Sequence, residues 1–217
     1  MRFRLLAGVP EAEAQRLLSV ARRRRFARGE IVFHRDDPAD CLHLIAKGRF
    51  AVRVMTPSGD TATVAVRGVG DNFGETALLA SKRRRSATVS ALEPSETFAI
   101  DADEVEHLRA AFPGVDKILF AFLAAELRRQ NELLLEALYL PVDRRLRRRL
   151  LELARVYGGE QGDVEIPLTQ AELASMAGTS RATANQILRA EQQAGTLQLG
   201  RGHLLVRDRA ALARRAR

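Results

Sequence analysis

The chain has 217 residues, of which 46% are hydrophobic and 29% charged, and its formal net charge is +8. That balance suits a globular protein that can bury a core, long enough for one large domain or two small ones. No apolar run is long enough to span a bilayer, the N-terminal MRFRLLAGVPEAEAQ is too short in apolar residues for a signal peptide, and a single cysteine, Cys41, leaves no disulfide framework or cysteine-rich metal site, so a cytoplasmic protein is expected.

EAEAQRLLSVARRR has helical periodicity and no breaker. From Phe26 to Ile100 the pattern changes to short β-branched runs: IVFH, CLHLIA, RFAVRVM, TATVAV, SATVSAL and ETFAI. Turn signals lie between them, among them RDDPAD, TPSGD, RGVGD and LEPS. Short strands at this spacing predict a sandwich or a barrel. From Asp103 to Leu140 the pattern is helical again, interrupted at Phe112-Pro113. In the long second part, Phe120, Leu123, Leu127, Gln130, Leu134 and Ala137 follow three-four spacing, which predicts a coiled-coil seam and a dimer. Gln130 is the polar exception and needs a polar partner. Leu140-Pro141-Val142-Asp143 breaks this helix, Asp143 is expected to cap RRLRRRLLELARVY, and Gly158-Gly159 is expected to stop it.

Residues 141–217 carry 14 Lys+Arg against 8 Asp+Glu, while residues 1–140 carry 21 against 19. The smaller part therefore holds most of the positive excess, which points to a polyanion partner. In LTQAELASMAGTSRATANQILRAEQQAG, Thr169 and Glu172 form a capping box for a first helix. Gly178 supplies a turn, and Ser180 or Thr179 caps a second helix with Ala184, Ile187 and Leu188 buried. TLQLGRGHLLV then reads as a hairpin turning at Gly200-Arg201-Gly202. Two short helices and a hairpin predict a winged helix-turn-helix. Its second helix offers Ser180, Arg181, Ala182, Thr183, Asn185 and Gln186; arginine suits guanine, asparagine and glutamine suit adenine, and the hydroxyls suit phosphates. Thr169, Gln170 and Arg201 complete the expected DNA-binding set, with double-stranded DNA carrying a palindromic operator as the partner.

Between Phe73 and Val89 the chain reads FGETALLASKRRRSATV. Phe-Gly-Glu followed by TALLAS reads as a strand entering a short helix, whose first N–H groups can hold a phosphate oxygen. Gly74 permits close approach, Arg85 on the following strand offers a bidentate fork, and Ser86 adds a donor. Glu75 can accept from a ribose hydroxyl and stand near Arg85 as a counter-charge. Lys82, Arg83 and Arg84 are expected to face solvent.

Taken with the long helix, the hinge and Ser180 to Thr183, this stretch resembles the phosphate-binding cassette of the Crp/Fnr family of bacterial transcription regulators. The resemblance covers nearly the whole chain. It implies an α+β architecture: an N-terminal cyclic-nucleotide-binding β-barrel of jelly-roll type over residues 1–112, a dimerisation helix over 113–140, and a winged helix-turn-helix over 141–217. It implies cyclic AMP as effector, held by Val64, Gly74, Glu75, Thr76, Ala77, Arg85, Ser86, Gln130 and Asn131, and RNA polymerase as a possible partner. Glu126 stands where cyclic-AMP-binding members often carry an arginine. Ligand-independent control, another effector, or a cyclic-nucleotide-binding subunit without DNA function are the alternatives. No enzyme and no metal are expected: iron–sulfur sensing needs more cysteines, and His34, His43, His107 and His203 are scattered. Cys41 is expected to be buried and His43 exposed.

Overall fold

The computed structural model describes residues 3–55, 59, 61–80, 82–158 and 162–217. The chain folds as two units, Met1–Val54 with Ala65–Arg128, and Met55–Val64 with Arg129–Arg217.

Helix α1 (Glu11–Val20) ends earlier than its periodicity predicts, and the four arginines that follow lie in strand β1 (Arg22–Phe26). Ala21 turns to an extended conformation, and β1 pairs with β8 (Ser95–Asp101) from Arg22 opposite Ala99 to Phe26 opposite Ser95. Arginine is a good helix former, but a five-residue ladder and the burial of Phe26 outweigh that preference. The remaining strands are β2 (Ile31–Phe33), β3 (Cys41–Lys47), β4 (Phe50–Met55), β5 (Thr61–Arg67), β6 (Asn72–Phe73) and β7 (Thr88–Ala91). They form two four-stranded sheets, in the orders β1-β8-β3-β6 and β2-β7-β4-β5. The turn expected over residues 56–60 lies, Gly59 apart, outside the described residues.

Strand β3 shows how the first unit is layered, because its side chains alternate between two cores. Leu42 and Leu44 join Leu6, Leu17, Ile100, Leu108, Val115 and Leu119 beneath the helices. Ile45, pointing the other way, joins Phe26, Phe50, Phe73 and Val89 in a second, aromatic core. Each such large side chain removed from water is worth about 1.5–3 kcal/mol.

Helix α3 (Ala102–Ala111) is followed, after Phe112-Pro113, by α4 (Gly114–Tyr139). Val115 and Leu119 anchor the start of α4 in the first unit. Beyond them Phe120, Leu127, Leu134 and Leu138 are each more than half exposed.

In the second unit, α5 (Val142–Gly158) begins one residue before Asp143, so Asp143 lies inside the first turn and does not cap it. It pairs with Arg147 one turn on, at 2.5 Å. Gly159 lies outside the described residues. Strand β9 (Val164–Ile166), helices α6 (Gln170–Ala177) and α7 (Arg181–Gln193), strands β10 (Leu197–Leu199) and β11 (Leu204–Val206), and helix α8 (Arg209–Arg215) complete the chain. The wing is a three-stranded sheet, β10-β11-β9, where the sequence predicts a hairpin. Leu146, Leu150, Leu153, Ile166, Leu173 and Leu188 are almost fully buried.

Candidate effector pocket and nucleic-acid interface

Gly74 links β6 to the short helix α2 (Glu75–Leu79) with φ 92, a conformation that a residue with a Cβ adopts only under strain. A Cβ there would lie 2.7 Å from Nη1 of Arg85, so the glycine also makes room for the arginine. Arg85 itself precedes β7 and is not on it. Its backbone N–H donates to Asp37 O, and its carbonyl accepts from Asp36 N–H. The side chain points inward, and only 3% of the residue is exposed. Nη1 donates to Cys41 O at 2.8 Å and to Gly74 O at 3.4 Å. Nη2 reaches Asp40 Oδ1 at 3.3 Å and Cys41 Sγ at 3.5 Å. The guanidinium lies over the Phe33 ring, 4.2 Å from its centroid. Nε is buried, with no acceptor among the described residues.

Glu75 is not the counter-charge of Arg85. It is buried, accepts from Asn72 Nδ2 at 2.9 Å and from Thr76 Oγ1 at 3.2 Å, and Asp40 takes the place beside Arg85. Burial raises the Glu75 carboxyl above its ordinary value, although its backbone N–H, Asn72 and the Arg67 charge oppose the shift. Ala77 is buried, Thr76 and Ser86 are exposed, and Lys82, Arg83 and Arg84 are exposed as expected. Val64, Gln130 and Asn131 belong to the second unit, where the Val64 carbonyl accepts from Arg129 at 2.9 Å. Glu126, in the first unit, pairs with Arg67 at 2.6 Å.

His43 is buried with Cys41, contrary to the exposed position expected for it. It stacks on Phe73 at 4.8 Å between centroids and an interplanar angle of 13°, and Nδ1 lies 3.0 Å from Thr97 Oγ1. Burial, with the Arg85 charge beside it, lowers its pKa to about 3. Burial likewise pushes the Cys41 thiol up to about 11, so both groups are neutral at pH 7. The signal was in the strand period: Cys41, His43 and Ile45 share one face.

The second constellation is on α6, α7 and the wing. Thr169 caps α6 in a full capping box with Glu172, as the spacing predicts. Gly178 ends it in the left-handed region with φ 61, and Ser180 caps α7 by accepting from Thr183 N–H at 3.1 Å. Thr169, Gln170, Arg181 and Arg201 line one cleft, together with Gly200 and His203. Gln170 also lines a neighbouring hollow with Asn185, Arg189 and Gln192. Ala182 and Gln186 are exposed and Thr183 is half-buried. Arg189, one turn beyond Asn185, and His203 were legible from helix period and wing position but were not predicted. The back of α7 is fixed by charge. Glu191 is fully buried, accepts from Arg147 Nε at 2.7 Å, from Arg215 Nε at 3.0 Å and from Thr196 Oγ1 at 2.8 Å. Burial opposes its ionisation, and these bonds hold it below the usual carboxylate range nonetheless.

A β-sheet domain with a buried arginine beside a glycine-opened helix, followed in sequence by a winged helix-turn-helix, is the architecture of a DNA-binding regulator. Residues 23–112 match the cyclic nucleotide-binding domain and residues 144–215 the Crp-like helix-turn-helix domain. The chain is 32% identical over 195 residues to the CRP-like cAMP-activated global transcriptional regulator of Mycobacterium tuberculosis, covering 88% of this chain and 87% of that one. It is 34% identical over 212 residues to the cyclic AMP receptor protein of Thermus thermophilus, covering 96% and 94%. Among solved structures, the Thermus thermophilus catabolite activator protein is 33% identical with a TM-score of 0.56, covering 98% of both chains. FixK2 of Bradyrhizobium japonicum shares the fold with a TM-score of 0.79 at 21% identity, covering 90% of this chain and 96% of that one. The chain belongs to the Crp/Fnr family and is a DNA-binding transcription regulator of the Crp type. Among the described residues no helix is long and apolar enough to cross a membrane.

Proposed function

We propose that this regulator is a cytoplasmic homodimer, without enzymatic activity, whose affinity for a palindromic operator is set by cyclic AMP in the barrel of residues 1–112. The observation that carries this reading is Arg85: a buried arginine whose Nε–H has no acceptor among the described residues, beside Gly74. A buried donor left without a partner costs about 1–3 kcal/mol, and an anionic phosphate oxygen removes that cost. The residues present thus fit the group. Arg85 would hold the phosphate, with Ser86 and the Gly74 to Ala77 backbone around it, and Glu75 would accept a ribose hydroxyl. Val64, Gln130 and Asn131 would contact the rest of the nucleotide. Two relatives are a cAMP-activated regulator and a cyclic AMP receptor protein, which favours cyclic AMP over other nucleotides.

The exposed leucine face of α4 supports the dimer, since an apolar stripe of that length in water calls for a cover. Residues 113–140 would pair in parallel, and residues 141–217 would bind DNA through Ser180, Arg181, Ala182, Thr183, Asn185, Gln186, Thr169, Gln170 and Arg201. Rotation about Leu140–Asp143 would couple ligand to DNA. RNA polymerase would be a further partner. Leu127→Glu with Leu134→Glu is expected to give a monomer by light scattering that binds DNA poorly; a parent protein that is monomeric at micromolar concentration would overturn the dimer.

Ligand-independent control is a second reading, favoured by the protein partners that Arg85 already has at both Nη atoms. Calorimetry with cyclic AMP and cyclic GMP separates the two. Saturable heat with cyclic AMP supports the first reading, and none at millimolar nucleotide supports the second.

A further inference from the structure

Arg85 presents two different edges. Nη1 faces carbonyl oxygens and is firmly held, at 2.8 Å from Cys41 O. The other edge, formed by Nε and Nη2, has parallel N–H groups suited to two oxygens of one anion. On that edge, among the described residues, Nε has no acceptor, and Nη2 has a 3.3 Å contact to Asp40 and a 3.5 Å contact to a thiol, which is a weak acceptor. The Phe33 ring lies against the face of the guanidinium and so does not take up the in-plane N–H groups of this edge.

Asp40 differs from the other groups around Arg85. Its side chain is 73% exposed, whereas that of Arg85 is 2% exposed, so the carboxylate can swing away into solvent at the cost of its contact with the Cys41 thiol. It also has a second cation at hand: its Oδ2 lies 4.0 Å from Nη2 of Arg22, which holds Asp101 at 2.5 Å as well.

We propose that Asp40 is a resident competitor for the phosphate edge of Arg85. A cyclic phosphate takes Nε and Nη2, Nη1 stays on Cys41 O, and Asp40 moves to Arg22. The exchange leaves every charged group with a partner, so its cost is small, and Asp40 sets how tightly the site holds its effector. This inference rests on the cyclic-nucleotide reading above and concerns how that same site is tuned.

The test is calorimetry of the full-length protein with cyclic AMP and with cyclic GMP, for the parent, Asp40→Ala, Asp40→Asn and Arg22→Ala. Loss of the competitor is expected to tighten binding about two- to fivefold, the range of an exposed ion pair. Arg22→Ala, which removes the alternative partner, is expected to weaken it by a similar factor. Unchanged thermal unfolding of the Asp40 variants confirms that the fold is intact. If Asp40 instead holds Arg85 in place for the ligand, Asp40→Ala binds more weakly, and the proposal fails. It fails equally if a nucleotide-bound crystal structure keeps Asp40 on Nη2. Nucleotide bound by the Asp40 variants and not by the parent would support it most directly. Should none of the four proteins bind either nucleotide, the cyclic-nucleotide reading falls and this inference with it.

Discussion

Arg85 and Arg181 are both read as anion or base contacts, yet the protein treats them in opposite ways. Arg85 is buried and comes with a carbonyl cradle, a ring beneath it and a carboxylate beside it. Arg181 is exposed at the start of α7, where water solvates it. A charge in the interior must carry its partners with it, so its ligand competes with them; a charge on the surface competes only with water. The same contrast runs through α7: polar residues outward, and on its inner side the fully buried Glu191 between Arg147 and Arg215.

Glu191 is where the contrast predicts the largest effect. Glu191→Ala leaves Arg215 without its carboxylate and Arg147 with Asp143 alone, and breaking a buried pair in this way costs about 3–5 kcal/mol. Chemical denaturation of the parent and variant would measure it, and a loss below about 1 kcal/mol would show the network to be solvated. The sign of its pH dependence follows from a carboxyl held below its ordinary value in the folded chain. The stabilisation is present above the unfolded carboxyl range and disappears as pH falls through the lowered folded value. Asp143, lowered by Arg147 against the cost of its own burial, acts in the same direction.

Arg85→Ala is next. Charge-assisted bonds to a buried phosphate are worth about 1.5–3 kcal/mol each, so cyclic AMP binding is expected to fall at least about tenfold, with Glu75→Ala weaker in effect. An Arg85→Ala protein that binds cyclic AMP as tightly as the parent removes the phosphate role.

Arg181→Ala tests the exposed arm. It is expected to cost about 1–3 kcal/mol per half-site and to relax the preference for guanine at one position. Selection from random DNA, with and without cyclic AMP, would read this out. Ala182 can touch a thymine methyl and Gln186 prefers adenine, so thymine and adenine are expected where those residues face the bases. A selected half-site with neither preference there would defeat that readout. The smallest effect is expected at Ser180→Ala, about 1 kcal/mol of stability through loss of the α7 cap, measured by thermal unfolding.

Local chemistry determined much of this protein within its sequence. The Thr169–Glu172 capping box, the Gly178 turn, the Ser180 cap and the break at Phe112-Pro113 depend on neighbours a few residues away, and each was legible for that reason. The spacing of Gly74, Glu75 and Arg85 also carried the resemblance from which the phosphate site is proposed. What only the tertiary structure decided involves partners distant in the chain. Arg22 to Arg25 form a strand because β8, far along the chain, supplies a ladder. His43 is buried because Phe73 and Thr97 surround it, and Glu191 is ionised in the core because α5 and α8 bring arginines to it. Asp40 replaces Glu75 beside Arg85 for the same reason: helix and strand periods fix which way a side chain points, but the partner that waits there is set by how distant segments pack.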